Sequence, residues 1–144
     1  MRNDFIACAL DLKDPAEREL LAHQFQQQTQ APALVLNTCQ RLEVFGRQDL
    51  EAHTEAWRCE AHAEQDLIRR IARIAAGLDS RIIGELEILG QVREAYRNFH
   101  QRFGKDDPKL DRIFQRALAL ARKDRKVSGV DQNLTGLAAL TARR

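Results

Sequence analysis

Residues 34–45 read LVLNTCQRLEVF, an apolar run, then a polar tetrad, then alternating apolar and polar residues. Residues 33–36 predict a buried strand and residues 42–45 a half-buried one, so the tetrad connects two strands. Alternate side chains of an extended chain share a face, so Cys39 and Arg41 can point the same way. A guanidinium beside a thiol favours the thiolate and can bind a carboxylate through two parallel hydrogen bonds. Alternatively, Cys39 packs as a small apolar side chain beside a solvated Arg41.

Two more strands and a helix are predicted around this stretch. Residues 4–12 and residues 56–62 alternate apolar with polar side chains, as strands do. Asp14 is placed to cap a helix whose first residue is Pro15. The residues expected on the inner side of that helix are Leu20, Leu21 and Phe25.

From residue 63 onward the apolar period changes to that of a helix. Three helices are predicted, over about 63–78, 85–103 and 109–127, with a loop at 79–84. The third helix carries a basic outer side that includes Arg112, Arg116 and Lys123. Such a side either contacts nucleic-acid phosphates or is simply a solvated helix face.

The predicted fold class is α/β, in the α+β sense. A small split βαβ-type sheet of three to four strands comes first, and a helical bundle follows. The length suits one domain, with a sheet unit at 1–62, a helical unit at 63–126, and a tail or the start of a connecting helix at 127–144.

Composition excludes several classes of protein. A net charge of +2 is too small to argue for nucleic-acid binding on its own. No apolar run is long enough to span a membrane, and the start lacks a signal-peptide pattern, so we expect a cytoplasmic protein. The three cysteines are widely spaced without a C-x-x-C pair, which argues against a zinc site and a disulfide framework. Cys8 and Cys59 are expected in the core, and His53 and His62 at the surface.

Three sequence blocks resemble one enzyme family. Residues 37–45, NTCQRLEVF, resemble the nucleophile motif of glutamyl-tRNA reductases. Residues 75–80, AAGLDS, and residues 88–92, ILGQV, match two further blocks of that family in the same order. The resemblance covers roughly residues 5–126, and ordered blocks are far more specific than any one motif.

The resemblance implies a reaction and roles for particular residues. In this family a cysteine, here Cys39, attacks the ester carbonyl of glutamate carried by its tRNA and forms a thioester. Hydride from NADPH then reduces the thioester to glutamate-1-semialdehyde, which feeds tetrapyrrole (haem) synthesis. Arg41 matches the arginine that holds the glutamyl group, and Thr38, Gln40 and Ser80 match substrate-binding positions. Ser80 is equally well explained as a helix or loop cap.

The chain departs from the family pattern at several positions. Gln40 and Leu42 stand where the family has Asn and Thr, and Arg70 stands where it has a His near the site. Because an arginine keeps its proton, Arg70 cannot act as acid or base, although it could favour the Cys39 thiolate or hold a carboxylate. Residues 46–55 are too short for the family's helix between strands three and four. The sheet is therefore expected to be open or differently covered on that side.

The sequence contains no G-x-G-x-x-G motif, so we expect it to bind no NADPH. The spacing of its cysteines and histidines argues against a metal site, so we expect no metal either. With the family's NADPH-binding and dimerisation domains missing, the chain would act alone only as an esterase. The expected partners are glutamyl-tRNA and a separate or missing NADPH-binding domain; the oligomeric state stays open. Two alternatives remain: a tRNA- or protein-binding module without chemistry, and a plain scaffold in which Cys39 is structural.

Overall fold

The computed structural model describes residues 2–38, 41–53, 56–78 and 86–128, without the side chains of residues 51–53, 86 and 125–128. Within these ranges, four strands, four α-helices and a short 3₁₀ helix follow one another. In order they are β1 Phe5–Asp11, α1 Pro15–Gln28, β2 Ala33–Asn37, β3 Arg41–Arg47, the 3₁₀ helix Gln48–His53, β4 Arg58–His62, α2 Glu64–Ala75, α3 Leu86–Phe103 and α4 Pro108–Ser128.

The strands form one sheet in the order β2-β3-β1-β4, and all neighbours are antiparallel. Since β3 is antiparallel to both β1 and β2, the latter two run parallel with β3 between them. That is the split βαβ arrangement, with α1 as the crossover. The predicted fold class is confirmed.

The two faces of the sheet belong to different hydrophobic clusters. Phe5, Phe45 and Leu36 face the bundle of α2, α3 and α4, whose predicted apolar stripes are buried there. Ile6 and Val44 belong to a smaller cluster on the other face. That face is covered by Phe25 of α1, by Leu50 of the 3₁₀ helix and by Trp57. The predicted absence of a longer helix before β4 therefore leaves this side differently covered.

The predicted inner side of α1 is confirmed at Phe25, which is buried, and Leu21 is half-buried. Leu20 is 56% exposed, whereas the buried residues of α1 are Arg18, Ala22 and Phe25. Asp14 caps the helix as expected, by accepting a hydrogen bond from the backbone N–H of Ala16 at 3.0 Å. The expectation for Leu20 was wrong, because the buried side of α1 centres on Arg18, Ala22 and Phe25, and Leu20 lies on the opposite side of the helix.

The expectation of an unlinked Cys8 and Cys59 was also wrong. Cys8 on β1 is buried and pairs in register with Cys59 on β4, and the two form a disulfide. They lie 51 residues apart, so spacing alone could not reveal that their strands are neighbours. Likewise, His62 is half-buried rather than a surface residue, with Nε2 at 3.8 Å from a carboxylate oxygen of Glu60.

Helix α2 is followed by Gly77, whose φ of 78° is readily adopted only by glycine, as a helix stop requires. The loop predicted at 79–84 and the tail beyond residue 128 lie outside the described residues, as does the side chain of His53. Within the described ranges, no helix combines the length and the apolar character that crossing a bilayer would need.

Candidate functional site

The connection between β2 and β3 is tied by Thr38 and Arg41. The N–H of Thr38 donates to the carbonyl of Arg41 at 3.1 Å. The Thr38 hydroxyl donates to the same carbonyl at 3.0 Å and accepts from the N–H of Arg41 at 3.3 Å. The intervening residues, Cys39 and Gln40, lie outside the described residues, and so does Ser80. Their proposed roles, and that of Thr38 in binding substrate, stay predictions.

Arg18 anchors the strand end from which this connection starts. Its residue exposure is only 5%. Nη1 donates to the carbonyl of Leu12 at 2.6 Å, and Nε donates to the side-chain oxygen of Asn37 at 3.2 Å. Arg18 thereby joins α1 to the ends of β1 and β2, immediately before Thr38. The sequence pattern missed this residue, because an arginine on a helix normally faces solvent.

Glu43 is the centre of the charged site and was also missed. Its side chain is only 2% exposed, and it lies on the bundle-facing side of β3. Nε of Arg41 lies 3.3 Å from its Oε1, and Nη2 of Arg70 lies 3.2 Å from the same atom. The available signal was the spacing of Arg41 and Glu43, since residues i and i+2 of a strand share a face.

Arg70 reaches this carboxylate from α2 and extends the cluster to β4. Its Nη1 lies 3.6 Å from Oε2 of Glu60, which is largely exposed. Two predicted site residues, Arg41 and Arg70, are thus brought together although 29 positions separate them in the sequence. The buried carboxylate of Glu43 offsets their mutual repulsion.

A cavity of about 370 Å³ with mainly polar walls lies beside this cluster. Arg41, Arg58, Glu60 and Arg70 form its charged walls, and small alanines of β1 also line it. Arg58 also pairs with the exposed Asp11, Nη2 to Oδ2 being 2.8 Å. Guanidinium groups in a shallow polar cavity suit an anionic ligand such as a carboxylate, which they bind as a planar fork.

The predicted tRNA contacts lie elsewhere. Arg112, Arg116 and Lys123 are exposed along one side of α4, and none of them lines the cavity at Arg41. They are spaced so that the helix presents all three on one stripe. Whether this stripe binds RNA stays a prediction.

Comparison with known proteins identifies the family. The family model described as glutamyl-tRNA(Glu) reductase, N-terminal domain, matches residues 7–127. The chain belongs to this family. The match runs from β1 to the last residues of α4, so it includes the β2–β3 connection and the Arg41–Glu43–Arg70 cluster.

Curated proteins similar to this chain carry the name glutamyl-tRNA reductase. The protein of Aromatoleum aromaticum is 30% identical over 127 residues, which cover 78% of this chain. The protein of Pelotomaculum thermopropionicum is 40% identical over 78 residues, covering 54% of the chain. The chain spans only 30% of the length of the first relative and 17% of the second. The solved glutamyl-tRNA reductase of Methanopyrus kandleri has the same fold, with a TM-score of 0.65 and 24% identity, over 87% of this chain and 35% of its own.

The described residues do not fit the NADPH that the resemblance implies for the complete enzyme. A dinucleotide site needs glycines at the strand-to-helix turn and an N-terminus free to meet phosphate. Here the turn before α1 ends in Asp14, and the first turn of α2 carries Glu64 and Asp66. These carboxylates would repel a pyrophosphate, so no reduction step is derived from this chain.

Proposed function

We propose that this chain is the thioester-forming, glutamyl-tRNA-binding domain of a glutamyl-tRNA reductase. The observation that carries the proposal is the convergence of Arg41 and Arg70 on Glu43, next to the connection that contains Cys39. Family membership supports the substrate class, since the curated relatives carry the name glutamyl-tRNA reductase. A cytoplasmic location and a role in tetrapyrrole synthesis belong to the same proposal.

Cys39 acts as the nucleophile. Its thiolate attacks the carbonyl carbon of the glutamyl ester, a C–S bond forms, and the ester C–O bond breaks. The electron pair leaves with the terminal hydroxyl oxygen of the tRNA, which takes up a proton. A neutral thiol is a poor nucleophile, and a nearby guanidinium, for which Arg41 two positions further along the chain is the candidate, favours the thiolate.

Arg41 holds the side-chain carboxylate of the glutamyl group, with Arg70 beside it. The contact from Arg41 to Glu43 uses Nε, at 3.3 Å, and the Arg41 side chain keeps 30% of its surface exposed. A planar fork on a carboxylate selects glutamate over glutamine, because the amide would place N–H donors against N–H donors.

Water then hydrolyses the thioester unless a separate NADPH-binding domain reduces it. Hydrolysis releases free glutamate, so the chain alone behaves as a slow esterase towards glutamyl-tRNA. Cys39 and water account for this reaction, which requires no cofactor bound by the described residues.

The test is deacylation of radiolabelled glutamyl-tRNA by the wild type, Cys39→Ser and Arg41→Ala. We expect Cys39→Ser to lose most of the activity, because a neutral hydroxyl lacks thiolate reactivity. We expect Arg41→Ala to lose rate and also discrimination against glutaminyl-tRNA. Arg69→Ala is the matched control: this arginine on α2 is largely exposed, and its one ion pair among the described residues is with Asp66, at 4.0 Å. Mass spectrometry of the acid-quenched wild type should find a glutamyl adduct on Cys39.

One observation favours the alternative of a binding module without chemistry. Glu43 and Glu60 already hold Arg70, and no histidine lines the cavity within the described ranges. If the wild type and Cys39→Ser both deacylate at the uncatalysed rate while tRNA still binds, the binding module replaces the enzyme as the proposed function.

A further inference from the structure

A second cavity lies between α3 and α4, outside the Arg41 cavity. It is an open groove of about 360 Å³. Three arginines line it, Arg93 and Arg97 from α3 and Arg122 from α4, and no aspartate or glutamate does. A groove with three positive and no negative side chains attracts an anion or a chain of anions.

Arg93 is the least satisfied of the three. The residue is half-buried, its Nε is fully buried, and Nε makes no hydrogen bond within the described part of the chain. A buried guanidinium nitrogen without an acceptor costs free energy, because it has lost water and gained no partner. Such a nitrogen in the wall of a basic groove points to an acceptor that an anionic ligand supplies.

The other two arginines are available to the same ligand. Arg122 is exposed and forms no ion pair with any described residue. Arg97 pairs with Glu94 at 2.8 Å, but both side chains are more than half exposed, so this pair is weak and easily exchanged. Arg93 and Arg97 are four residues apart and therefore stand on one side of α3, about 6 Å apart along the axis.

Besides Glu94, a second acidic group lies beside the groove, and it is already engaged. Asp111 is buried and is bound by Tyr96, His100 and Gln115 at 2.9–3.2 Å. Tyr96 lines the groove, and burial raises the pKa of its phenol. The phenol therefore stays neutral at physiological pH, so it adds no charge that would repel a phosphate. Its ring offers a surface on which a ribose or a base can lie.

We propose that the α3–α4 groove binds the sugar–phosphate backbone of the tRNA. The proposal rests on the proposed function, because that function makes tRNA the anionic partner. The arginine forks bind phosphate oxygens, and Arg93, whose buried Nε has no acceptor in the described part of the chain, turns its guanidinium towards one of them. On α4 the groove lies beside the stripe of Arg112, Arg116 and Lys123, so one RNA strand can contact both surfaces.

The test is the affinity of the 144-residue chain for uncharged tRNA specific for glutamate, measured by fluorescence anisotropy at several salt concentrations. The groove variant is Arg93→Gln/Arg97→Gln/Arg122→Gln. The matched control, Lys13→Gln/Arg69→Gln/Lys105→Gln, removes the same charge from exposed positions outside the groove. We expect the groove variant to bind on the order of 10- to 100-fold more weakly at low salt, with a salt slope reduced by about 2 to 3.

Equal losses in the groove variant and the control would overturn the proposal, because only net charge would then matter. Unchanged tRNA affinity in the groove variant would also overturn the proposal. A fall in the thermal stability of that variant would then show that the arginines stabilise the fold instead. If that variant fails to fold, Arg97→Gln/Arg122→Gln changes only exposed residues and must show the same trend. Deacylation by Cys39 is measured separately, so loss of that activity with intact groove binding contradicts only the proposed chemistry.

Discussion

Glu43 shows how one buried residue organises the candidate site. It is an acid almost without solvent exposure, and it accepts contacts from arginines on two different elements. A buried carboxylate is tolerated only when its charge is compensated, so its stability depends on both guanidinium groups. The arginines depend on Glu43 in return, since without it two positive groups would face each other.

We predict that Glu43→Gln lowers the free energy of unfolding by about 2–3 kcal/mol, because one partner of a buried ion pair is removed. The matched control is Glu60→Gln, whose side chain is 70% exposed and also contacts Arg70. It should cost less than about 0.5 kcal/mol. Urea unfolding of the wild type and both variants measures the difference. Similar losses in the two variants would show that Glu43 is no more important than a surface charge.

At the scale of elements, the strands and helices were predictable and their contacts were not. Alternation located β1, β3 and β4, a short apolar run located β2, and the period of 3.6 located α2, α3 and α4. In α1 the buried Phe25 was predicted, whereas the exposed Leu20 and the buried Arg18 were not. The contacts Cys8–Cys59 and Glu43–Arg70 were also missed. These contacts join distant parts of the chain, so they depend on strand order and helix placement, which local patterns do not contain.

The ion pair that links β3 to the start of α4 gives a prediction at this scale. Arg47 at the end of β3 binds Asp107 through two hydrogen bonds, 2.6 and 2.9 Å long. Asp107 precedes α4 and also accepts from the N–H of Leu110 at 3.2 Å. The hydrogen bond from Arg47, followed by the one from Leu110, holds the pKa of the Asp107 carboxyl below its usual value, against the opposing effect of burial.

A lowered native pKa stabilises the fold above the unfolded-state pKa of about 4, and this stabilisation is lost as the pH falls towards the native pKa. Asp107→Asn keeps an oxygen for the helix cap but removes the charge. We expect it to cost about 1–2 kcal/mol at neutral pH, with the deficit shrinking below about pH 4. Thermal unfolding across pH measures this, with exposed Asp106→Asn as control. A deficit that is constant with pH would contradict the role of the charge.

At the scale of the whole molecule, the disulfide between Cys8 and Cys59 ties the edge strand β4 to the central strand β1. It closes a loop across 51 positions that contains α1, β2 and β3. Cross-links of this length stabilise a fold mainly by restricting the unfolded chain. A reducing cytoplasm would keep the same pair as two thiols, so the bond is expected to depend on redox conditions.

We predict that the purified, air-oxidised chain has one thiol that alkylating reagents label before reduction, at Cys39, and three after it. Reduction should lower the free energy of unfolding by up to about 4 kcal/mol. Cys39→Ser is the control, because it should keep the disulfide and the stability of the wild type. Peptide mapping after alkylation identifies which cysteines carry the label before and after reduction. Three labelled cysteines in the unreduced native protein would show that the pair does not form.

The position of β1 has a consequence for how the chain is made. It is translated before the other three strands of the sheet, yet it pairs with β3 on one edge and with β4 on the other. Until residue 62 has emerged, the nascent chain carries an apolar strand with at least one open edge, which is the surface on which chains stick to one another. The domain is therefore expected to be most prone to aggregation before α2 has been translated.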